Sequence, residues 1–262
     1  MQKKYIKNTL GFDTNLFVYQ DKQMFNYSVD TVLLANFISL SSKTKKVLEI
    51  GTNNAALSIF LASRKEDMNI DAIEIQSEAI DLALLNVKEN HLEKQINIIH
   101  ADFNEYWKTF DKIENNKYDA IICNPPFYKQ DKIIPSTKKP LKTLALYEIA
   151  LNFEQIMQGC AKIIKQKANL AMVIPTTRLV DLLEMMRKYQ FEPKRIKMIY
   201  PRIYEQSNLV LVEARYKTGW GTHFEPNLYL HYEDKQNHEY TKEVLKWYKP
   251  IKFKKSNEGE AK

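Results

Sequence analysis

Asn124-Pro125-Pro126-Phe127 is the most chemically pointed stretch of this 262-residue chain. It follows Tyr118-Asp119-Ala120-Ile121-Ile122, a short apolar run that reads as a buried strand leading through Cys123. Two consecutive prolines supply no N–H and fix φ. The first also forces Asn124 into extended geometry. The Asn124 side chain and the carbonyls beside it are thereby held rigid and unpaired at the end of a strand. Such acceptors suit an amino group attached to a flat π system, and the Phe127 ring can stack on that system. Asn124, Pro125 and Phe127 are therefore the catalytic candidates. The plainer alternative is a rigid turn that ends a strand, and the upstream residues weigh against it.

Those upstream residues begin with Lys45-Lys46-Val47-Leu48-Glu49-Ile50-Gly51, an apolar strand that closes on an acid and a glycine. A helix is predicted over 55–64, making this the first strand–turn–helix of a Rossmann-like fold. Of a Gly-x-Gly-x-Gly turn only Gly51 is present, with Asn53 and Ala55 at the other two positions. Asn tolerates positive φ better than other non-glycine residues, and Ala55 still allows close helix packing. A dinucleotide turn needs its glycines for the pyrophosphate, so this turn argues against a nicotinamide dinucleotide. Glu49 can cap local backbone N–H groups or orient a cofactor. The second strand, 70–75, carries Glu74 twenty-three positions after Gly51, near the spacing of about twenty at which a carboxylate accepts ribose hydroxyls. A surface Glu at a strand end is the alternative. Residues 77–90 read as a helix with Ile80, Leu84 and Val87 on one face. The third strand, 96–100, is followed by Asp102, which can accept from an adenine amino group with Phe103 against the ring, or cap a helix. His100 has no catalytic partner in the sequence.

Before this unit, Asp30 reads either as the cap of a helix beginning at Thr31 or as a wall of the cofactor pocket. After Phe127 comes a long loop, 128–143, with Tyr128 and with Lys129, Lys132, Lys138, Lys139 and Lys142 against Asp131. A basic loop of this length is either a solvated connection or a lid over a polyanionic substrate. The helical pattern of 144–165 is interrupted near Asn152-Phe153. A strand over 168–175, a helix over 176–189, two antiparallel strands over 194–200 and 208–216, a strand over 227–232 and a helix over 240–248 follow. The simplest division is an arm (1–40), one domain (41–250) and a polar tail (251–262) that predicts disorder.

Composition narrows the class further. The chain is 44% hydrophobic and 27% charged, an ordinary globular balance. No apolar run reaches membrane-spanning length, and Met1-Gln2-Lys3-Lys4-Tyr5 opens no signal-peptide h-region. Two cysteines, Cys123 and Cys160, make no disulfide framework and fit a reducing cytoplasm. None of the five histidines stands with cysteine at zinc spacing, so no metal is expected. A net charge of +7 with 15 Tyr and 12 Phe suits a nucleic-acid partner, and the alternative reading is plain compositional drift toward Lys, Asn and Ile.

Taken in order, Tyr27-Ser28-Val29-Asp30-Thr31-Val32-Leu33-Leu34, Leu48-Glu49-Ile50-Gly51-Thr52-Asn53-Asn54, Ala72-Ile73-Glu74-Ile75-Gln76 and Asn124-Pro125-Pro126-Phe127 resemble the tRNA adenine N6-methyltransferases that act on adenine 37 of a valine tRNA. The resemblance covers about 20–245. It implies an α/β, Rossmann-like, seven-stranded class I methyltransferase sheet with an antiparallel sixth and seventh strand pair and an N-terminal arm. It implies S-adenosyl-L-methionine as cofactor, held by Asp30, Glu49, Gly51, Asn53, Glu74, Asp102 and Asn124. It implies tRNA as substrate, met by Phe127, Tyr128, Lys129, Lys132, Lys138 and Lys139. A cytoplasmic enzyme is expected, with a monomer as the default state. Relatives often carry Ala-Arg-His-Glu after the substrate loop, where this chain has Ala145-Leu146-Tyr147-Glu148. Protein glutamine N5-methyltransferases and guanine N2-methyltransferases share the Asn-Pro-Pro-aromatic element, and a non-catalytic RNA-binding protein is a third possibility.

Overall fold

The computed structural model describes residues 5–253 apart from 13, 23, 25, 112 and 126–150. Its elements in chain order are β1 (Tyr5–Thr9), β2 (Phe17–Asp21), α1 (Val29–Phe37), β3 (Lys46–Ile50), α2 (Ala56–Ala62), β4 (Asn69–Glu74), α3 (Ser77–Glu89), β5 (Ile96–His100) and α4 (Phe103–Thr109). After these come β6 (Tyr118–Cys123), α5 (Phe153–Ile163), β7 (Ile164–Pro175), α6 (Leu179–Lys188), β8 (Phe191–Tyr200), β9 (Leu209–Tyr216), β10 (His223–Phe224), β11 (Leu228–Tyr229) and α7 (Lys242–Trp247).

Strands β3 and β6 are apolar on both faces, as central strands covered by helices must be. Val47, Leu48, Ile50, Ala120, Ile121 and Ile122 are all buried. They sit mid-sheet in the order β10-β8-β9-β7-β6-β3-β4-β5. The pairs β3–β4, β4–β5, β3–β6 and β6–β7 are parallel, and β9 runs antiparallel to both β7 and β8. This is the Rossmann-like class I methyltransferase arrangement, with the antiparallel late pair that the sequence predicts.

The strand count differs from seven. The two-residue strands β10 and β11 both pair in parallel with β8, making nine. The outer edge of β8 would otherwise present unpaired backbone groups, and these short strands cover it. The strand expected over 227–232 is correspondingly reduced to β11. Helix α3 also differs: its buried face is Ala79, Leu82, Ala83, Asn86 and Val87, while Leu84 is exposed. Ala79, Leu82, Ala83, Asn86 and Val87 fall on a single 3.6-residue stripe, and Leu84 lies off it. The break near Asn152 is a helix start. Asn152 caps α5 and Gln155 reciprocates, a capping box.

The hairpin β1–β2 forms its own two-stranded sheet and docks on α3. Helix α1, expected as part of an arm, is buried along nearly its whole length within the main core. Residues 251–253 are tied down as well: the Ile251 N–H donates to Asn36 Oδ1 at 2.9 Å, and the Phe253 N–H to the Arg64 carbonyl at 2.8 Å. The rest of the expected tail lies outside the described residues.

The sheet order reverses beside β3. Strands β4 and β5 lie to one side, and β6 and β7 to the other. Ligands of open α/β sheets bind beyond the strand C-termini at such a switch point. Register places Ile50 opposite Cys123, so Gly51 and Asn124 leave the sheet side by side.

Candidate active site

The turn after β3 is bent by three residues in the left-handed region. Gly51 has φ +75°, Asn53 +51° and Ala55 +64°. Asn53 adopts the conformation for which its residue type is suited. Ala55 does so at a steric cost that a glycine would avoid. The Gly51 and Thr52 N–H groups both reach the Ile73 carbonyl of β4 at 2.9 Å, locking the turn to the neighbouring strand. A Cβ added at Gly51 would meet no atom of the described residues within 4 Å, so among them this face of the turn is open.

Glu49 points under the turn. It is 2% exposed and accepts from the Thr52 hydroxyl at 2.9 Å and from the Ser58 hydroxyl. Burial pushes its carboxyl up to about 7, the Glu74 charge adds to that, and the two hydroxyls oppose it. Its visible work is bracing the turn from below.

Glu74, at the end of β4, is 4% exposed. Its Oε1 accepts from the Ile75 and Gln76 N–H groups, both at 2.9 Å, and its Oε2 from the Asn53 N–H at 2.8 Å. Burial raises its pKa while these three backbone donors lower it. A carboxylate offers about four acceptor positions, so one position, on Oε2, is left for a ligand. Asp102 caps α4, its Oδ1 accepting from the Asn104 N–H at 2.8 Å. Phe103, expected against an adenine ring, is instead 4% exposed and packed in the core beside Gly159. As the first residue of a helix lying on the sheet, its side chain turns inward.

Asn124 stands at the end of β6, half-buried, with Pro125 buried behind it. Its Nδ2 donates to Asp30 Oδ2 at 3.5 Å. Its Oδ1 is buried and has no partner among the described residues. Leaving a buried acceptor unpaired costs about 1–3 kcal/mol, and such orphans in a folded protein call for a ligand or a strained role. Asp30 is not the cap expected before Thr31. Helix α1 begins at Val29, which puts Asp30 inside the first turn. There it is 2% exposed and accepts the Ser28 hydroxyl.

Cys123 and Cys160 are free and fully buried, and burial drives both thiols well above their ordinary range, so neither is a nucleophile. His100 contacts the Ile75 carbonyl at 3.2 Å from an exposed position. Among the described residues, no group of three His, Cys, Asp or Glu could hold a metal. Among them, too, no helix is long and apolar enough to cross a membrane. Phe127, Tyr128, Lys129, Lys132, Lys138, Lys139 and Leu146 lie outside the described residues.

Thr52, Ser58 and Asn86 were not singled out from sequence. Asn86 donates to the Asn54 carbonyl at 2.9 Å and exchanges hydrogen bonds with both backbone groups of Tyr19, at 2.7 and 3.0 Å. It thus joins the turn, α3 and the N-terminal hairpin. The available signal was an Asn in register with the apolar stripe of α3.

Residues 18–145 match the family model described as the methyltransferase small domain. A tRNA1(Val) (adenine(37)-N6)-methyltransferase of Aliivibrio salmonicida is 24% identical over 201 residues, covering 70% of this chain and 82% of the relative. One of Dyadobacter fermentans is 24% identical over 223 residues, covering 85% and 89%. Among solved structures, a predicted O-methyltransferase of Agrobacterium tumefaciens shares the fold at TM-score 0.65 and 18% identity, over 87% of this chain and 99% of that one. A tRNA methyltransferase of M. jannaschii does so at TM-score 0.57 and 14% identity, over 84% and 56%.

Proposed function

We propose that this chain, whose residues 18–145 match the methyltransferase small-domain model, methylates the exocyclic N6 of an adenine in tRNA, adenine 37 of a valine tRNA. The observation that carries the reading is the buried Oδ1 of Asn124, which meets no partner among the described residues, on a residue that leaves the sheet beside Gly51. An amino group on a planar base is the ligand that such an acceptor lacks.

S-adenosyl-L-methionine, when bound, supplies the methyl as an electrophilic carbon on a sulfonium. The residues present fit it. Gly51 leaves room for close approach, Glu74 Oε2 retains one acceptor position for a ribose hydroxyl, and the half-buried Asp102 stands at the end of the third strand of the switch region. The turn has Asn53 and Ala55 where a pyrophosphate-binding turn needs glycines, and this cofactor carries no phosphate.

An adenine N6 is a poor nucleophile because its lone pair is delocalised into the ring. Asn124 Oδ1 accepts one N6 hydrogen and the Pro125 carbonyl the other, which turns the lone pair out of the ring plane. The N6 lone pair would then displace the methyl from the sulfonium in line, the S–CH3 bond breaking, S-adenosylhomocysteine leaving and one N6 proton passing to solvent, and what this chain supplies is positioning and electrostatics. The base must leave its stack. Phe127 takes over the stacking, while Tyr128, Lys129, Lys132, Lys138 and Lys139 meet the backbone of the RNA. An anticodon-loop base is already partly exposed, which lowers that cost. The reaction belongs to the cytoplasm, where tRNA is found.

Two measurements test this. Nucleosides from tRNA of a strain lacking this gene should lose N6-methyladenosine from one valine tRNA and regain it on complementation. The Asn124→Ala variant should still bind S-adenosyl-L-methionine and transfer no methyl. Unchanged tRNA in the deletion strain, or full transfer by the variant, overturns the proposal. Label that survives ribonuclease but not protease would redirect it to a protein glutamine.

A further inference from the structure

Asp30 and Asn124 lie 94 positions apart, yet their side chains meet at 3.5 Å beneath the end of β6. The asymmetry of the pair matters. A carboxylate only accepts, whereas an amide has an accepting end and a donating end of nearly the same shape. Asp30 Oδ2 can therefore take only the NH2 end of Asn124. That leaves Oδ1 as the end facing the site, where no described residue meets it. With the amide reversed, two oxygens would face each other at the bottom of the site and an N–H would confront the incoming amino group. Asp30 is itself held from behind: the Ser28 hydroxyl binds Oδ1, and helix α1 buries the residue to 2%. Its place in the first turn, rather than at the cap, aims it across at β6.

We propose that Asp30 is a positioning residue for methyl transfer, an acceptor-only buried carboxylate that sets which end of the Asn124 amide faces the substrate. The inference rests on the N6-methylation reading above. It assigns Asp30 to the orientation of the substrate acceptor instead of to the wall of the cofactor pocket.

The test compares Asp30→Ala and Asp30→Asn in the full-length protein with valine tRNA. Loss of orientation should lower kcat roughly a hundredfold, the scale at which misplacement of a reacting group costs rate. KM for tRNA and affinity for S-adenosyl-L-methionine should stay at wild type. Asp30→Asn should recover kcat only in part, because an amide at position 30 can turn either end toward Asn124 and no longer selects its Nδ2. A wild-type kcat in Asp30→Ala overturns the proposal. So does a loss that appears as weakened cofactor binding, which would mark a pocket wall. Thermal melts accompany both variants. If Asp30→Ala does not fold, Ser28→Ala, which frees Asp30 without removing its charge, should give a smaller loss in kcat at unchanged cofactor affinity. If the wild type itself methylates no tRNA, the functional reading falls, and the positioning claim is judged separately. The side-chain NH2 of Asn124, followed by nitrogen-15 NMR, should exchange with solvent at least about tenfold faster in the Asp30→Ala variant, or in Ser28→Ala where that variant is unfolded. Unchanged exchange sinks it.

Discussion

Replacing Glu49 with Gln should make the protein more stable at neutral pH, and by an amount that grows with pH. The carboxyl is buried beneath the turn, with Thr52 and Ser58 hydroxyls as partners and Glu74 as a nearby like charge. Burial lifts its pKa from 4.5 to about 7. The native state therefore holds this proton in a range where the unfolded chain has released it. Stability from this group is complete below pH 4.5 and is lost as pH rises through about 7. With about 1.4 kcal/mol per unit, the charged form costs on the order of 3 kcal/mol above that window. Gln keeps the shape and partners both hydroxyls without a charge. Urea unfolding at pH 5, 6, 7 and 8 (buffer points, about one unit apart to resolve the linkage) would give the curves. The variant's advantage should widen from the lowest pH to the highest, approaching about 3 kcal/mol. Glu74 shifts in the same direction, so a reduced slope remains in the variant. Two parallel curves, offset by a constant, would refute the argument that Glu49 carries a buried, titrating charge.

Gly51→Ala meets no atom of the described residues but is forced to a φ of +75°, so it should cost about 1–2 kcal/mol of stability. The new methyl would stand on the open face, so calorimetry should show S-adenosyl-L-methionine affinity falling by more than the strain explains. Gly159→Ala sets a Cβ 2.6 Å from Phe103 Cε1 and Trp107 Cδ1. Overpacking of this kind costs about 1–3 kcal/mol, and Trp107 emission should shift with it. Asn86→Ala removes three hydrogen bonds between α3, the turn and the hairpin, at a cost of roughly 3 kcal/mol. Amide exchange of Tyr19, whose N–H donates to Asn86, should rise in parallel, and unchanged exchange there would mean the hairpin is held elsewhere.

The parallel half of the sheet was legible to within a residue or so at each end. Strands β3 and β6 are near-continuous apolar runs, because a strand covered on both faces has little polar side to interrupt the pattern, while β4 and β5, toward the sheet edge, were legible from their isoleucines although Asp71 and Asn97 interrupt them. The Gly51 turn, the Asn124 tetrapeptide and the acids closing β3 and β4 were legible for a related reason. Each is local, and its chemistry shows in consecutive residues. Strands β10 and β11 were not, since two residues carry no period and form only because the edge of β8 is free. The face of α3 was misread at Leu84 for want of its packing partner, the N-terminal hairpin.

What consecutive residues could say about Asn124 was that prolines hold it rigid at a strand end, and that it suits an amino group. Which end of its amide points outward is a different kind of fact. It depends on Asp30, which folding brings from a separate helix to the foot of β6. Likewise Glu74 was legible as an acid at the right distance from Gly51, but the structure commits three of its acceptor positions to backbone N–H groups. Residue types name the chemistry a site can do. Hydrogen-bond partners that are distant in the chain decide which lone pairs remain to do it, because each acceptor has few positions and folding fills some of them first.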